Sequence, residues 1–175
     1  MADPILSFVL FSLSPSGKKI AQFLLSKGHK VTLFMPAERI ESINRLGYGE
    51  LKDHLFFYNK LTDQRVTDQL DQLNPHYILT AFFSYKIPDQ VIQRAQYHAL
   101  NFHPSLLPKY RGGFPQFYII KHQDTKTGIT LHQLTEHWDS GAIAAQFTFD
   151  VSDQHTFGTL TAKTQNQLML FLDEL

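Results

Sequence analysis

Short apolar runs alternate with helix-like segments along the first two thirds of the chain, and this alternation constrains the fold more than any other feature. The run from Ile5 to Phe11 is apolar except for Ser7 and rich in β-formers, which is typical of a strand covered on both faces. The next segment places Ile20, Phe23 and Leu24 on one helical stripe and reaches a natural stop at Gly28. Repeated units of this kind predict a parallel sheet with helices on both faces.

The rest of the chain continues the pattern and then changes it. We predict further strands at 30–35, 55–58, 77–83 and 98–102, and helices at 62–73 and 88–95. Beyond residue 125, apolar and polar residues alternate at 128–132 and again at 143–151, which indicates two more strands, antiparallel to each other. The predicted fold class is therefore α/β, a mostly parallel Rossmann-like twisted sheet with antiparallel strands toward the C-terminus.

Composition excludes several classes of protein. The 175 residues suffice for one globular domain, and the 16 basic residues balance the 16 acidic ones, so no net field favours nucleic acid or an anionic membrane surface. The absence of cysteine excludes disulfides and thiolate metal sites and is compatible with a reducing compartment, so we expect a cytoplasmic protein. The N-terminal apolar run is too short to cross a membrane.

Polar residues cluster where the predicted fifth strand ends, in the stretch "LNFHPSLLPKYRGG" at 100–113. Ligands of open parallel sheets bind outside the carboxyl ends of the strands, and Asn101 and His103 lie at that end. The turn "WDSGA" carries Asp139 between the last two strands. Strand adjacency alone can bring Asn101, His103 and Asp139 together.

These three residue types suit acyl transfer without a covalent enzyme intermediate. An asparagine amide can hold a developing oxyanion, a histidine titrates near neutrality, and an aspartate can support the charged imidazole. No G-x-S-x-G motif offers a competing nucleophile. Spacing alone leaves a plain alternative open, because asparagine, proline and glycine are ordinary turn residues and most of the nine histidines should be structural.

Two stretches resemble the signatures of the folate-dependent formyltransferases. "LNFHPSLLPKYRG" is similar to the first signature, and "TGITLHQLTEHWDSGAIAAQ" to the second, with fitting spacing between them. The resemblance implies the formyltransferase fold, Asn101, His103 and Asp139 as the catalytic trio, and 10-formyltetrahydrofolate as the formyl donor. It implies no metal. In the implied mechanism, Asn101 and protonated His103 hold the oxyanion while Asp139 supports that protonation and helps to move a proton.

The resemblance also implies binding residues. "NPHYILTAFFSYKIP" occupies the place of the family's folate-binding loop, and the stretch after residue 136 should close the other side. The implied folate contacts are Phe83, Ser84, Lys86, Ile87, His137, Trp138 and Gly141. The candidate acceptor contacts are Ser105, Arg111 and His132, although Ser105 could instead cap its own turn. Phe114, Phe117 and Tyr118 lie at helical spacing, so we expect them to pack in the core.

The acceptor is the least constrained part of the prediction. "RGGFPQF" and "DSGAIAAQ" resemble the methionyl-tRNA and amino-sugar branches more than the purine branch. We expect transfer to a primary amine of a small acceptor, an amino-sugar nucleotide or a carrier-bound amino acid. The alternatives are the catalytic domain of a methionyl-tRNA formyltransferase, a glycinamide ribonucleotide formyltransferase, and a folate-binding or hydrolytic module that does not transfer formyl.

We expect residues 1–175 to form a single catalytic domain that contacts folate and its acceptor, without membrane and without nucleic acid in this domain. The final helix has no glycine or proline stop, so either it frays or the domain belongs to a longer chain. A further C-terminal domain or a homodimer would be compatible with the sequence.

Overall fold

The computed structural model describes residues 4–175 as seven strands and six α-helices. In chain order they are β1 (Ser7–Phe11), α1 (Pro15–Ser26), β2 (Lys30–Pro36), α2 (Ile40–Arg45), β3 (Leu55–Tyr58), α3 (Gln64–Leu73), β4 (Tyr77–Ala81), α4 (Asp89–Ile92), β5 (His98–His103), α5 (Pro115–Lys121), β6 (Lys126–Gln133), β7 (Ile143–Asp150) and α6 (Phe157–Glu174). Two 3₁₀ segments, Ala37–Arg39 and Tyr48–His54, flank α2.

The strands form one sheet in the order β3-β2-β1-β4-β5-β6-β7. β1 pairs in parallel with β2 and β4, and β2 pairs in parallel with β3, whereas β6 and β7 are antiparallel. The predicted fold class, a mostly parallel sheet with antiparallel strands at its C-terminal end, is therefore confirmed.

The chain divides into two compact units, which meet in sequence between Leu100 and Asn101. In the first unit, β1 and β2 are buried from Val9 to Phe11 and from Leu33 to Pro36, as expected for strands covered on both faces, whereas Lys30 at the start of β2 is exposed. Helix α1 buries Ile20, Ala21 and Leu24, the stripe expected from the sequence, apart from Phe23. This unit carries the loop that follows β4.

The second unit is built on the β6–β7 hairpin, whose register shifts between Leu131 and His132. Helix α6 begins with a capping box between Thr156 and Thr159. Its Phe171 meets the Phe102 ring edge-on at 6.1 Å and stacks on Phe147 at 5.7 Å. This aromatic contact holds the helix on the end of β5 and on β7, and so stabilises the strand that ends at the candidate site.

Three local expectations were wrong. β1 begins at Ser7 rather than Ile5, whose side chain is 65% exposed. Neither α2 nor the 3₁₀ segments were anticipated. Helix α5 does form, but Phe114, Phe117 and Tyr118 are 72%, 52% and 42% exposed, because the helix instead buries Pro115, Gln116 and Ile119. Among residues 4–175, no helix is long and apolar enough to cross a membrane.

Candidate active site

The end of β5 presents two polar side chains to the same side of the strand. Asn101 and His103 are two residues apart, so the pleat directs both to one face, while Phe102 between them is buried on the other. His103 is only 4% exposed. A buried polar ring needs hydrogen-bond partners, and these come from the β6–β7 loop and from the segment after β5.

Asp139 supplies the central acceptor of the cluster. Its Oδ2 lies 3.3 Å from Nδ1 of His103, and its Oδ1 accepts a hydrogen bond from Asn101 Nδ2 at 3.3 Å. The main-chain N–H of Gly112 donates to Oδ2 at 2.8 Å. Asp139 has a φ of 48°, a left-handed conformation that costs free energy for any residue but glycine and recurs at functional sites. Asp139 therefore contacts both other members of the predicted trio, whose catalytic role stays a prediction.

His132 belongs to the same cluster, closer to its centre than the sequence indicated. Its Nδ1 donates to the Gln133 carbonyl at 2.9 Å. Its Nε2 lies 3.1 Å from Asn101 Nδ2 and 3.4 Å from Asp139 Oδ1. His132 is 1% exposed, so it supports Asn101 and Asp139 from behind. The predicted acceptor contact at His132 gains no support from this burial.

Both ring nitrogens of His103 have protein partners. While Nδ1 faces Asp139, Nε2 donates to the main-chain carbonyl of Tyr110 at 2.9 Å. Tyr110 is also left-handed, with a φ of 58°. An oxyanion contact from His103 therefore requires Nδ1 or Nε2 to exchange its present partner.

The electrostatics of the cluster favour an ionised carboxylate beside a neutral imidazole. Burial alone would raise the pKa of Asp139, but the His132 and His103 rings and the Gly112 N–H outweigh it, so the pKa lies below its ordinary value. Burial lowers the pKa of His103, and the Asp139 carboxylate and the Tyr110 carbonyl oppose that shift without cancelling it. The lowered pKa of His103 therefore disfavours a proton on the ring, and Asp139 is the main group that opposes this effect.

Buried side chains fix the loop between His103 and Tyr110. The Thr130 hydroxyl donates to the Ser105 carbonyl at 2.7 Å and accepts from the Leu107 N–H at 3.0 Å. The Ser105 hydroxyl donates to the Lys109 carbonyl at 2.6 Å, and the Ser105 side chain is fully buried. Ser105 therefore closes its own turn, and the structure offers no support for its acceptor contact.

The β6–β7 loop is held by its own polar groups. The hydroxyls of Thr135 and Ser140 both donate to the His137 carbonyl, at 3.0 and 3.1 Å. Arg111 donates to the Trp138 carbonyl at 2.7 Å, while the Trp138 ring is 50% exposed. These bonds shape the loop that carries Asp139 and leave the Trp138 indole open to solvent.

Gly141 lies where the loop rejoins the strands. A Cβ at this position would lie 2.0 Å from the Gln133 carbonyl oxygen, so no other residue fits without moving the loop. Its predicted folate contact is untested, and the structure gives it a packing role as well.

The loop after β4 was predicted to bind folate. It belongs to no helix or strand from residue 82 to 88, and Phe82 within it is left-handed with a φ of 50°. Ser84 and Lys86 are exposed and Phe83 is half-buried, whereas Ile87 is only 4% exposed. The ring contact predicted for Ile87 thus gains no support from its burial, and the folate roles of all four residues stay predictions.

Sequence reasoning missed the main-chain groups of the site. The Gly112 N–H and the Tyr110 carbonyl carry no side-chain signature, and only the "RGG" turn indicated that the chain bends there. Within residues 4–175, no group of three or more His, Asp or Glu side chains is placed to hold a metal ion.

Comparison with known sequences assigns this geometry to a family. Residues 19–172 match the family model described as "Formyl transferase". A methionyl-tRNA formyltransferase of Lactobacillus johnsonii is 32% identical over 168 residues, which cover 90% of this chain and 54% of that protein. The chain therefore spans about half the length of this curated relative.

Solved structures share the fold at lower identity. A phosphoribosylglycinamide formyltransferase from Bacillus halodurans has a TM-score of 0.74 at 21% identity, covering 91% of this chain and 88% of that one. A sugar N-formyltransferase from Shewanella sp has a TM-score of 0.77 at 18% identity, covering 97% and 67%. HypX from Aquifex aeolicus in complex with tetrahydrofolic acid has a TM-score of 0.63 at 20% identity, covering 85% and 22%. These likenesses confirm the predicted formyltransferase fold.

Proposed function

This chain belongs to the formyl transferase family, and we propose that it transfers a formyl group from 10-formyltetrahydrofolate to a primary amine of a small acceptor. The acceptor we propose is an amino-sugar nucleotide or a carrier-bound amino acid. The observation that carries the proposal is the buried Asp139 carboxylate, which contacts Asn101 and His103 at the same distance of 3.3 Å. This arrangement joins an amide donor, a titrating ring and a fixed charge, the three groups that formyl transfer needs.

Asn101, His103 and Asp139 each have a separate role in the proposed reaction. As the neutral amine bonds to the formyl carbon, negative charge develops on the formyl oxygen, and Asn101 Nδ2 turns from His132 to donate to it. His103 takes up a second proton on Nδ1, and Asp139 stabilises the resulting imidazolium, which contacts that oxygen only after Nδ1 or Nε2 leaves its present partner. The bond to the donor nitrogen then breaks, and one proton passes from the attacking amine to that nitrogen with the help of Asp139.

We propose two sets of donor contacts, one in each unit, and each can be tested by itself. In the first unit, the backbone at 82–88 belongs to no helix or strand, and we propose that Phe83, Ser84, Lys86 and Ile87 there contact a flat heterocycle. In the second unit, we propose contacts from His137, Trp138 and Gly141. The exposed Trp138 indole suits contact with an aromatic ring.

A methionyl-tRNA acceptor is the second candidate, and the curated relative supports it. The charge of the chain favours a small acceptor instead, because its 16 basic and 16 acidic residues provide no net attraction for phosphate backbones. A glycinamide ribonucleotide acceptor remains an alternative with the same chemistry. A cytoplasmic location stays a prediction.

A panel assay tests the proposal. Purified protein is mixed with 10-formyltetrahydrofolate and one amine at a time, including amino-sugar nucleotides, carrier-bound amino acids, glycinamide ribonucleotide and methionyl-tRNA. Release of tetrahydrofolate is followed by absorbance and the formylated product by mass spectrometry. We expect turnover with a small amine, and turnover lower by roughly 10²–10⁴-fold with Asp139→Asn. Donor hydrolysis without a formylated product from any amine would contradict transfer, and turnover confined to methionyl-tRNA would replace the acceptor.

A further inference from the structure

The Tyr110 carbonyl makes a contact that the proposed chemistry does not by itself explain. It lies 2.9 Å from Nε2 of His103, and a carbonyl can only accept a hydrogen bond. Asp139 also only accepts, so a neutral ring can donate to one of these two groups, and the carbonyl contact is the shorter, at 2.9 Å against 3.3 Å. Donation to the carbonyl places the hydrogen on Nε2 and leaves the lone pair on Nδ1 beside Asp139. We infer that Tyr110 is a positioning residue whose main-chain carbonyl holds His103 in the Nε2–H tautomer, so that Nδ1 is the nitrogen that exchanges protons beside Asp139. This inference deepens the proposed formyl transfer and rests on it.

The backbone that presents this carbonyl is strained. Tyr110 has a φ of 58°, in the left-handed region that non-glycine residues occupy at a cost. A strained conformation persists only when the surrounding contacts fix it. The side chain of Tyr110 provides such contacts on the surface of the second unit, away from the buried cluster that its carbonyl serves.

Two kinds of contact anchor the Tyr110 side chain. Its hydroxyl donates to Asp124 Oδ2 at 2.8 Å and lies 3.0 Å from Nδ1 of His122. Its ring is parallel to those of Tyr118 and His122, with centroids 6.3 and 5.7 Å away. The Lys109 ammonium also pairs with Asp124 at 3.0 Å, which ties the preceding residue to the same carboxylate. Tyr118 on α5, together with His122 and Asp124 just after it, thereby holds the loop between His103 and Tyr110 at its surface side.

Side chains of β6 and β7 hold the part of the loop that follows His103. Gln146 on β7 donates to the Leu107 carbonyl at 3.0 Å and to the Thr130 hydroxyl at 2.9 Å, and that hydroxyl bonds the loop backbone at Ser105. The segment between His103 and Tyr110 is therefore fixed at both ends. Release of the Tyr110 side chain frees only the end that carries the carbonyl.

The charged and titrating groups facing His103 give this contact a measurable signature. Asp139 lies against Nδ1, and the His132 ring lies 6.3 Å away, edge-on. Burial lowers the pKa of His103, while the Tyr110 carbonyl opposes that shift by accepting from the ring. Loss of the carbonyl contact should therefore lower the pKa of His103 further and let the neutral ring sample both tautomers.

The test compares Tyr110→Ala and Tyr110→Phe with Tyr97→Ala, a control for loss of an exposed tyrosine ring in the other unit. Nitrogen-15 NMR of the imidazoles, assigned with His103→Asn, reports tautomer and titration without donor or acceptor. We expect the Nε2–H tautomer in the parent and in the control. Tyr110→Ala should show mixed tautomers and a lower pKa at His103, and Tyr110→Phe, which keeps the stacking, should lie between them.

Steady-state assays with the best amine of the panel follow on the same proteins. We expect kcat for Tyr110→Ala to fall by roughly 10-fold to 100-fold, the scale of a small misplacement in an active site, and the limb of the pH profile set by His103 to move to lower pH. An unchanged tautomer and titration in a folded Tyr110→Ala protein would overturn the inference. If the Tyr110 variants show the expected NMR changes but the parent transfers no formyl group, the positioning role of Tyr110 is upheld and the proposed function is contradicted.

Discussion

Replacing Asp139 with asparagine removes one negative charge from the centre of the site and keeps the size of the side chain. Asparagine also tolerates the left-handed φ of 48° at this position, so the loop should keep its path. The carboxylate lies 3.3 Å from Nδ1 of His103, and the two side chains are only 6% and 5% exposed. At an effective dielectric of about 20, unit charges at this distance attract by roughly 5 kcal/mol, an upper bound on the support lost by an imidazolium at His103.

That figure sets the expected loss of activity. Roughly 5 kcal/mol corresponds to between three and four decades in rate, and acid–base assistance is typically worth roughly 10²–10⁴-fold, so we expect turnover of Asp139→Asn to fall within that range. Stability should also fall. The carboxylate accepts from both Asn101 and Gly112, each on a different oxygen, whereas an amide has one oxygen. One donor then loses its partner, at a cost of about 1–3 kcal/mol in urea unfolding.

The assay must separate binding from chemistry. Trp138 is the only tryptophan, so quenching of its fluorescence by tetrahydrofolate reports donor binding directly. Donor affinity should survive in Asp139→Asn, while single-turnover transfer is lost. His103→Asn should be similarly damaging, and the double variant little worse than either, because residues that act as a unit are not additive. Losses that multiply in the double variant would show that the two act independently, and full activity of Asp139→Asn would refute the mechanism.

Three further predictions concern the loops and the pH dependence. Ser84→Ala should change donor affinity less than roughly threefold in a fluorescence titration, because the Ser84 side chain is exposed. Ile87→Asp should instead lower the free energy of unfolding by roughly 3 kcal/mol or more, because it buries an unpaired charge. Gly141→Ala should reduce turnover at least roughly tenfold and lower the free energy of unfolding in urea by about 1–3 kcal/mol, because its Cβ would lie 2.0 Å from a carbonyl oxygen. The control Gly113→Ala, whose Cβ would have nothing within 4 Å, should change neither turnover nor stability. The unfolding free energy should decline as the pH falls below 6.5, the ordinary pKa of His103, because the folded state binds this proton more weakly than the unfolded chain does. In urea titrations from roughly pH 7.5 to 5.5, His103→Asn should show a smaller decline than the parent. Equal stability of Ile87→Asp and the parent, an active Gly141→Ala, or an unaltered pH slope in His103→Asn would each contradict the corresponding argument.

The sequence by itself determined the elements with strong periodicity, and it predicted the side chains that meet at the end of β5. Apolar runs identified β1 and β2, and the alternation after residue 125 identified the β6–β7 hairpin, because these patterns follow from the backbone period of a strand. The two signatures identified Asn101, His103 and Asp139. Strand adjacency then sufficed to predict that they meet, and the structure brings them within 3.3 Å.

Only the tertiary structure decided which faces are covered and which backbone groups complete the site. The aromatic residues of α5 have the spacing of a buried stripe but lie in solvent, because the helix packs through its opposite residues, among them Ile119. The burial of Ile87, which is 4% exposed, was likewise not visible in the sequence, and its predicted folate contact is untested. The Gly112 N–H bonds Asp139, and the Tyr110 carbonyl bonds His103. Nearly every residue has these main-chain groups, so the residue types in the sequence cannot identify such contacts. Their direction depends on the path of the folded loop, and that path is set by contacts between residues far apart in the chain.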